Sequence, residues 1–128
     1  MSEKAVAEKL LIKAGYRVLI VDPPSGYLST LGKLPDKVTL LDQPAANADL
    51  VQLFVASRKE LEAKLPLLKP ALKPNGLLWI TYPKGTSKTK ADINRDSINA
   101  YAHSIGLQGV AMVSVDDTWS ALRLKPTS

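Results

Sequence analysis

Hydrophobic residues along this chain fall into short runs of β-forming type, interrupted by turns and by one run at helical spacing. From Asp49 to Lys84 the order DLVQLFVASRKELEAKLPLLKPALKPNGLLWITYPK predicts four consecutive features. A buried strand over Leu50 to Val55 is followed by a helix that opens at Ser57-Arg58-Lys59-Glu60, a capping box in which Ser57 and Glu60 satisfy exposed amides reciprocally. Leu61, Leu65, Leu68 and Leu72 recur at helical spacing and should face a sheet, while Pro66 and Pro70 predict a kink or a helix end. Pro74-Asn75-Gly76 reads as a turn, and Leu77 to Tyr82 as a second buried strand that runs into a basic loop. Strand, crossover helix and strand make the unit of a parallel sheet, so this block fixes the fold class as α/β.

The flanking segments extend the same plan. A helix is expected over Glu3 to Lys13, with Ser2 as N-cap, Val6, Leu10 and Leu11 on its buried side and Gly15 as its stop. Arg17 to Val21 is a strand whose consecutive apolar residues suit burial on both faces. A short helix over Ser25 to Leu31 ends at Gly32, and Lys37 to Leu41 is the second strand. Asp92 or Thr89 caps a helix that carries Ile93, Ile98, Tyr101, Ala102 and Ile105 and stops at Gly106. Gly109 to Val115 and Thr118 to Leu124, joined at Asp116-Asp117, form an antiparallel hairpin. The segment from Asp42 to Asp49 is short for a crossover and requires an extended path over the sheet.

Composition adds limits more than chemistry. The 128 residues, 45% hydrophobic and 23% charged, suit one globular domain spanning 1–128. Apolar runs are strand-sized, so no membrane span is expected, and no signal peptide is visible at Met1-Ser2-Glu3-Lys4. The absence of cysteine excludes disulfides and fits a reducing cytosol, so a cytoplasmic location is expected. A net charge of +5 favours anionic partners at low salt. The basic residues are nevertheless dispersed apart from Lys84, Lys88 and Lys90, and no aromatic platform is interleaved with them, which argues against nucleic-acid binding.

Several motifs carry a family resemblance. The fourth and fifth strands of S-adenosylmethionine-dependent methyltransferases resemble the Asp49–Lys84 block, with a loop of Lys-Pro-Gly-Gly form before the fifth strand, and their last strand inserts antiparallel beside the fifth. More narrowly, Asp22-Pro23-Pro24-Ser25-Gly26-Tyr27-Leu28, Leu53 to Arg58, Trp79 with Tyr82-Pro83-Lys84, and Val115 to Ser120 resemble a small bacterial family of unknown function allied to the methyltransferases. The resemblance implies a three-layer, Rossmann-like, methyltransferase-type sheet, mostly parallel, closed by the C-terminal hairpin. It also implies a fold trimmed after the second strand, where a full methyltransferase places two helices and a strand.

Ligands of open α/β sheets bind beyond the carboxyl ends of the strands. Asp22 to Tyr27, Asp42-Gln43, Ala56-Ser57-Arg58 and Tyr82 to Gly85 should converge there. The candidate cofactor-binding residues are therefore Asp22, Gly26, Tyr27, Asp42, Ser57 and Lys84. Asp42, twenty positions after Asp22, stands where related folds place an acid on ribose hydroxyls, or else simply opens a polar loop. The first loop departs from the pattern: Pro23 and Pro24 remove amides and fix φ where a glycine-rich loop would let the backbone approach a cofactor, and Tyr27 is a candidate to fill that space.

Three further motifs point to chemistry more weakly. Asp22-Pro23-Pro24 resembles the Asp-Pro-Pro-Tyr motif of methyltransferases acting on base amino groups, but follows the first strand instead of the fourth. Gly85-Thr86-Ser87-Lys88-Thr89 lacks the second glycine of a phosphate loop. His103 has neither a second imidazole nor a cysteine for a transition-metal site. The leading expectation is a cytosolic methyltransferase-like protein lacking the standard cofactor loop, with catalysis left open and a small-molecule or nucleotide-like ligand as partner. The alternative is a working S-adenosylmethionine-dependent methyltransferase on a small molecule or nucleobase, since methyl transfer mainly needs alignment.

Overall fold

A computed structural model of the chain describes residues 6–32, 34–41, 48–84, 93–116 and 118–126. Among them the strands are β1 (Arg17–Val21), β2 (Thr39–Leu41), β3 (Ala48–Phe54), β4 (Leu72–Pro83), β5 (Leu107–Ser114) and β6 (Trp119–Pro126). The helices are α1 (Val6–Lys9), α2 (Tyr27–Leu31), α3 (Arg58–Leu68) and α4 (Arg95–Ser104). The six strands form one sheet in the order β2-β1-β3-β4-β6-β5. β2, β1, β3 and β4 are mutually parallel, and β6 lies antiparallel between β4 and β5.

The consecutive apolar residues of β3 are explained by its position. It is flanked by β1 and β4, and every residue of it but Asp49 is buried. Alternation along the strand sends Val51 and Leu53 to one face and Leu50 and Phe54 to the other. The first face packs beneath α3 and α4 through Leu61, Leu65, Leu68, Ile98 and Ala102. The second is covered by α1, α2 and the segment between α1 and β1, through Val6, Leu10, Ile12, Tyr27 and Leu31. Trp79 of β4 joins this second layer, and its indole N–H donates to the Leu10 carbonyl at 3.0 Å. The result is a three-layer α/β fold.

Several boundaries moved from their expected places. The first helix is only four residues long in the described region, because Leu11 turns left-handed at φ 67; Leu10 is buried and Leu11 is exposed. Ser2 and Glu3 lie outside the described residues. Pro66 is accommodated within α3, and the helix ends at Leu68, where a 3₁₀ turn over Lys69–Ala71 carries Pro70. Pro74-Asn75-Gly76 does not separate two elements but falls within β4 as a bulge. Ala48 pairs with Leu72 and Leu50 with Leu77, so β4 uses three more residues than β3 between the same rungs. Gly76 lies against Leu72 so closely that a Cβ would sit 2.6 Å from Leu72 Cδ1.

Capping chemistry also differs in detail. Ser57 caps α3 by accepting from the Glu60 N–H at 3.1 Å, while Glu60 Oε1 accepts from Ala56 N–H at 3.2 Å. The cap of α4 is Asn94, beyond both Thr89 and Asp92, which lie outside the described residues. Asn94 Oδ1 accepts from Ser97 N–H and Ser97 Oγ accepts from Asn94 N–H, both at 2.9 Å. A serine thus plays the reciprocal part usually taken by Glu or Gln. Replacing Asn94 by Ala should lower stability by about 1 kcal/mol. Thermal melts should record this as a fall of about 3–5 °C.

Candidate functional site

The topology reverses between β1 and β3: the chain leaves β1 for β2 on one side and, after crossing back, places β3 on the other. Such a switch point opens a crevice beyond the carboxyl ends of the two strands. Here its walls are the Asp22–Gly26 loop, leading to α2, and the Val55–Ser57 loop, leading to α3.

The first loop turns sharply at both ends. Asp22 has φ 56, in the left-handed region where Asp is tolerated better than most residues, and Gly26 has φ 80. A Cβ added at Gly26 would meet nothing within 4 Å, so the turn geometry, not packing, demands glycine. Between them the Pro24 carbonyl accepts from Tyr27 N–H at 3.1 Å. Asp22-Pro23-Pro24 is therefore a strand-ending turn. Its carboxylate forms an ion pair with Lys64 of α3 across the crevice. Both side chains are substantially exposed, so the pair is worth roughly 0–1 kcal/mol.

Tyr27 lies beneath this loop and is buried. Its hydroxyl donates to Gln52 Oε1 at 2.7 Å, and Gln52 Nε2 donates to Thr81 Oγ1 at 2.9 Å. Gln52 and Thr81 are themselves fully buried, at the middle of β3 and near the end of β4. The Tyr27 ring meets Phe54 edge-on at 4.5 Å between centroids, and Phe54 meets Trp119 in the same manner at 5.2 Å. A line of aromatic rings thus runs from the first loop to the hairpin. Burial, reinforced by the charge of Asp116, pushes the Tyr27 hydroxyl well above the ordinary phenol range.

The remaining candidates are dispersed. Ser57 Oγ is engaged with Glu60 as the α3 cap, accepting from its N–H and donating to Oε1 at 3.3 Å. Lys84 follows the end of β4, two strands from β1 and hence roughly 10 Å across the sheet. It faces the hairpin, donating from Nζ to Ser114 Oγ and from its backbone N–H to the Thr118 carbonyl, both at 2.7 Å. Asp42, Gln43 and the Gly85–Thr89 motif lie outside the described residues. His103 is exposed in the last turn of α4, and Trp79 is a core residue. Asp22, Gly26, Tyr27 and Ser57 share the crevice walls, whereas Lys84 does not join them.

Solved structures with a similar fold include several methyltransferases. The complex of DhpI with S-adenosylhomocysteine superposes with a TM-score of 0.64 at 15% identity, covering 94% of this chain and 82% of that one. An S-adenosylmethionine-dependent methyltransferase from Aquifex aeolicus gives 0.63 at 17% identity, over 93% and 86% of the two chains. A TehB-like S-adenosylmethionine-dependent methyltransferase from Corynebacterium glutamicum gives 0.60 at 15%, over 97% and 89%. The fold is that of the S-adenosylmethionine-dependent methyltransferases. No protein-family model matches the sequence, and neither does any curated protein sequence.

Within that methyltransferase fold, the first loop does not fit the cofactor in its usual pose. Two consecutive prolines withhold the amides that would approach it, Lys64 occupies the Asp22 carboxylate, and Tyr27 fills the volume under the loop. Two concavities lie among described residues away from this loop. One of about 370 Å³ runs between α4 and β5, and one of about 120 Å³ lies among Lys69, Leu72, Leu107 and Pro126.

Gln52 and Thr81 escaped the sequence reading, although a signal existed: Gln52 is a lone amide in the apolar run LVQLFV. Replacing Tyr27 by Phe strands a buried amide oxygen and should destabilise the fold by about 1–3 kcal/mol. The raised hydroxyl pKa gives a second readout. The Tyr27 contribution is complete below the unfolded-state value of about 10 and declines as pH rises above it. Urea unfolding of both proteins should therefore show the stability gap narrowing between neutral pH and about pH 11. An unchanged gap would contradict the burial of this phenol.

Proposed function

We propose that this chain is a single-domain, cytosolic protein of a bacterial, methyltransferase-related family that has the methyltransferase fold without the methyltransferase cofactor. The observation that carries this reading is the Tyr27–Gln52–Thr81 chain: the ring and its hydrogen bonds make the region beneath the first loop part of the core. Structures sharing the fold include a DhpI complex with S-adenosylmethionine and one with S-adenosylhomocysteine, and an O-methyltransferase holding both S-adenosylmethionine and a naphthoic acid. Their ligands make a small molecule the natural partner class for this crevice. On this reading a small-molecule or nucleotide-like ligand meets Asp22, Gly26 and Ser57 from outside the packed core, with Asp42 and Lys84 at the margins, and no methyl transfer follows.

The test is a set of thermal melts with S-adenosylmethionine and S-adenosylhomocysteine. A ligand at 100 times its dissociation constant stabilises the native state by about 2.7 kcal/mol, which shifts a domain of this size by several degrees. No shift is expected up to about 1 mM of either compound, which would place any dissociation constant above that range. A shift of several degrees at lower concentrations would overturn the proposal in favour of a working methyltransferase on a small molecule or nucleobase.

A further inference from the structure

The sequence has two methionines, Met1 and Met112, and no cysteine, so no thiol competes with their thioethers for an oxidant. Met1 lies outside the described residues. Met112 stands on β5 at the edge of the sheet and is 48% exposed. It lines the groove of about 370 Å³ together with Arg95, Asp96 and Asn99.

The Tyr82 hydroxyl distinguishes this sulfur from any other exposed thioether. Tyr82 pairs with Ser120 across the β4–β6 ladder, and Met112 pairs with Leu122 across the next one. Alternation puts Ser120 and Leu122 on one face of β6, so the phenol crosses that strand diagonally over the small Ser120. Its hydroxyl lies 3.1 Å from Met112 Sδ. Tyr82 is only 6% exposed, and that sulfur is the partner of its hydroxyl among the described residues. A thioether is a weak acceptor, so a well-placed donor is left with less than a full hydrogen bond. Burial, opposed by Arg95 and aided by Asp96, holds the Tyr82 phenol above its ordinary range, so the hydroxyl keeps its proton and remains a donor.

We propose that Met112 is a reversible oxidation site whose product, the sulfoxide, is held by the Tyr82 hydroxyl. A sulfur lone pair attacks one oxygen of a peroxide, and the S–O bond forms as the O–O bond breaks. Sulfur is oxidised by two electrons and the peroxide reduced. With hydrogen peroxide, the proton of the transferred hydroxyl passes to the departing one, which leaves as water. Methionine oxidation commonly disrupts a fold by forcing a polar oxygen into apolar packing. Here about half of the side chain faces solvent, and the new oxygen meets a donor already aimed at the atom that carries it. Oxidation therefore exchanges a weak acceptor for a strong one and tightens the link between β4 and β5. A methionine sulfoxide reductase reverses the step, with a dithiol oxidised to its disulfide and the oxygen released as water.

Millimolar hydrogen peroxide on the whole folded chain, followed by peptide mass spectrometry, tests the site. Met112 should gain one oxygen about as fast as it does in the urea-unfolded chain, with Met1 as internal reference. The oxidised wild type should melt about 2–4 °C above the reduced protein. The two methionine sulfoxide reductases, supplied with dithiothreitol, should restore the original melting temperature. Met112→Leu should show no rise after the same treatment, and Tyr82→Phe should take up the oxygen but lose the rise. If Tyr82→Phe folds poorly, the wild type labelled with ¹³C at the methionine methyl decides: the oxidised Met112 methyl should keep a nuclear Overhauser contact with the Tyr82 ring. A Met112 that resists while Met1 reacts, or an unchanged or lower melting temperature after oxidation, would overturn the proposal. So would a product that the reductases leave untouched, a rise shared by either variant, or an oxidised methyl detached from the Tyr82 ring.

Discussion

The structure hinges on satisfying one buried amide. Gln52 sits in the middle of the central strand with no solvent contact, where an unpaired polar side chain costs about 1–3 kcal/mol. Its oxygen needs a donor and its nitrogen an acceptor, and the only way to supply both is to fix elements far apart in sequence. Thr81 ties it to β4, and Tyr27 ties it to the start of α2. Once Tyr27 is committed to Gln52, α2 must lie over the β1–β3 junction, and the Asp22–Gly26 loop must bend sharply to deliver it. The two left-handed residues of that loop, Asp22 and Gly26, follow from this geometry.

The same constraint bears on function. In a methyltransferase fold the space beyond the first strand belongs to a cofactor, and a loop poor in side chains leaves it open. Here a phenol ring takes up the space beneath the loop, and a lysine from α3 meets the loop's carboxylate from above. The two devices differ in strength. The exposed ion pair can be broken at little cost, whereas withdrawing Tyr27 unmakes a buried hydrogen bond and an aromatic contact together. Tyr27 is therefore held at this edge far more firmly than the Asp22 carboxylate.

Much of the fold was legible in the sequence because it depends on burial. Arg17 to Val21 was read with its observed bounds, since an apolar β-forming run between polar turns has one economical use in an α/β chain. The hairpin and the leucine face of α3 were legible for the same reason. Local polar geometry was not. The α4 cap moved to Asn94 because several residues before Ile98 have capping side chains, and only the path of the backbone chooses among them. The Pro-Asn-Gly segment reads as a turn, yet pairing with β3 on both sides absorbs it as a bulge. At the site, sequence position showed which residues stand at strand ends but not what they bond to. Ser57 and Lys84 both follow strand ends, but Lys84 faces the hairpin instead of the crevice, and both are engaged by their own neighbours.

The two helical layers are held by different means. On the face of α3 and α4, helices of 11 and 10 residues lay down continuous apolar stripes, so area burial suffices. On the opposite face the described parts of α1 and α2 are four and five residues, too short to be stable by themselves. That layer is pinned by directional bonds: Trp79 Nε1 to the Leu10 carbonyl at one end and Tyr27 to Gln52 at the other. Directional pins give way one at a time, whereas an apolar stripe releases its area only as a whole helix departs. Local opening should therefore start on the thin face, and the Tyr27 ring beneath the first loop belongs to that face. The buried hydrogen bond from Tyr27 to Gln52 is thus carried by the layer most readily displaced from the sheet.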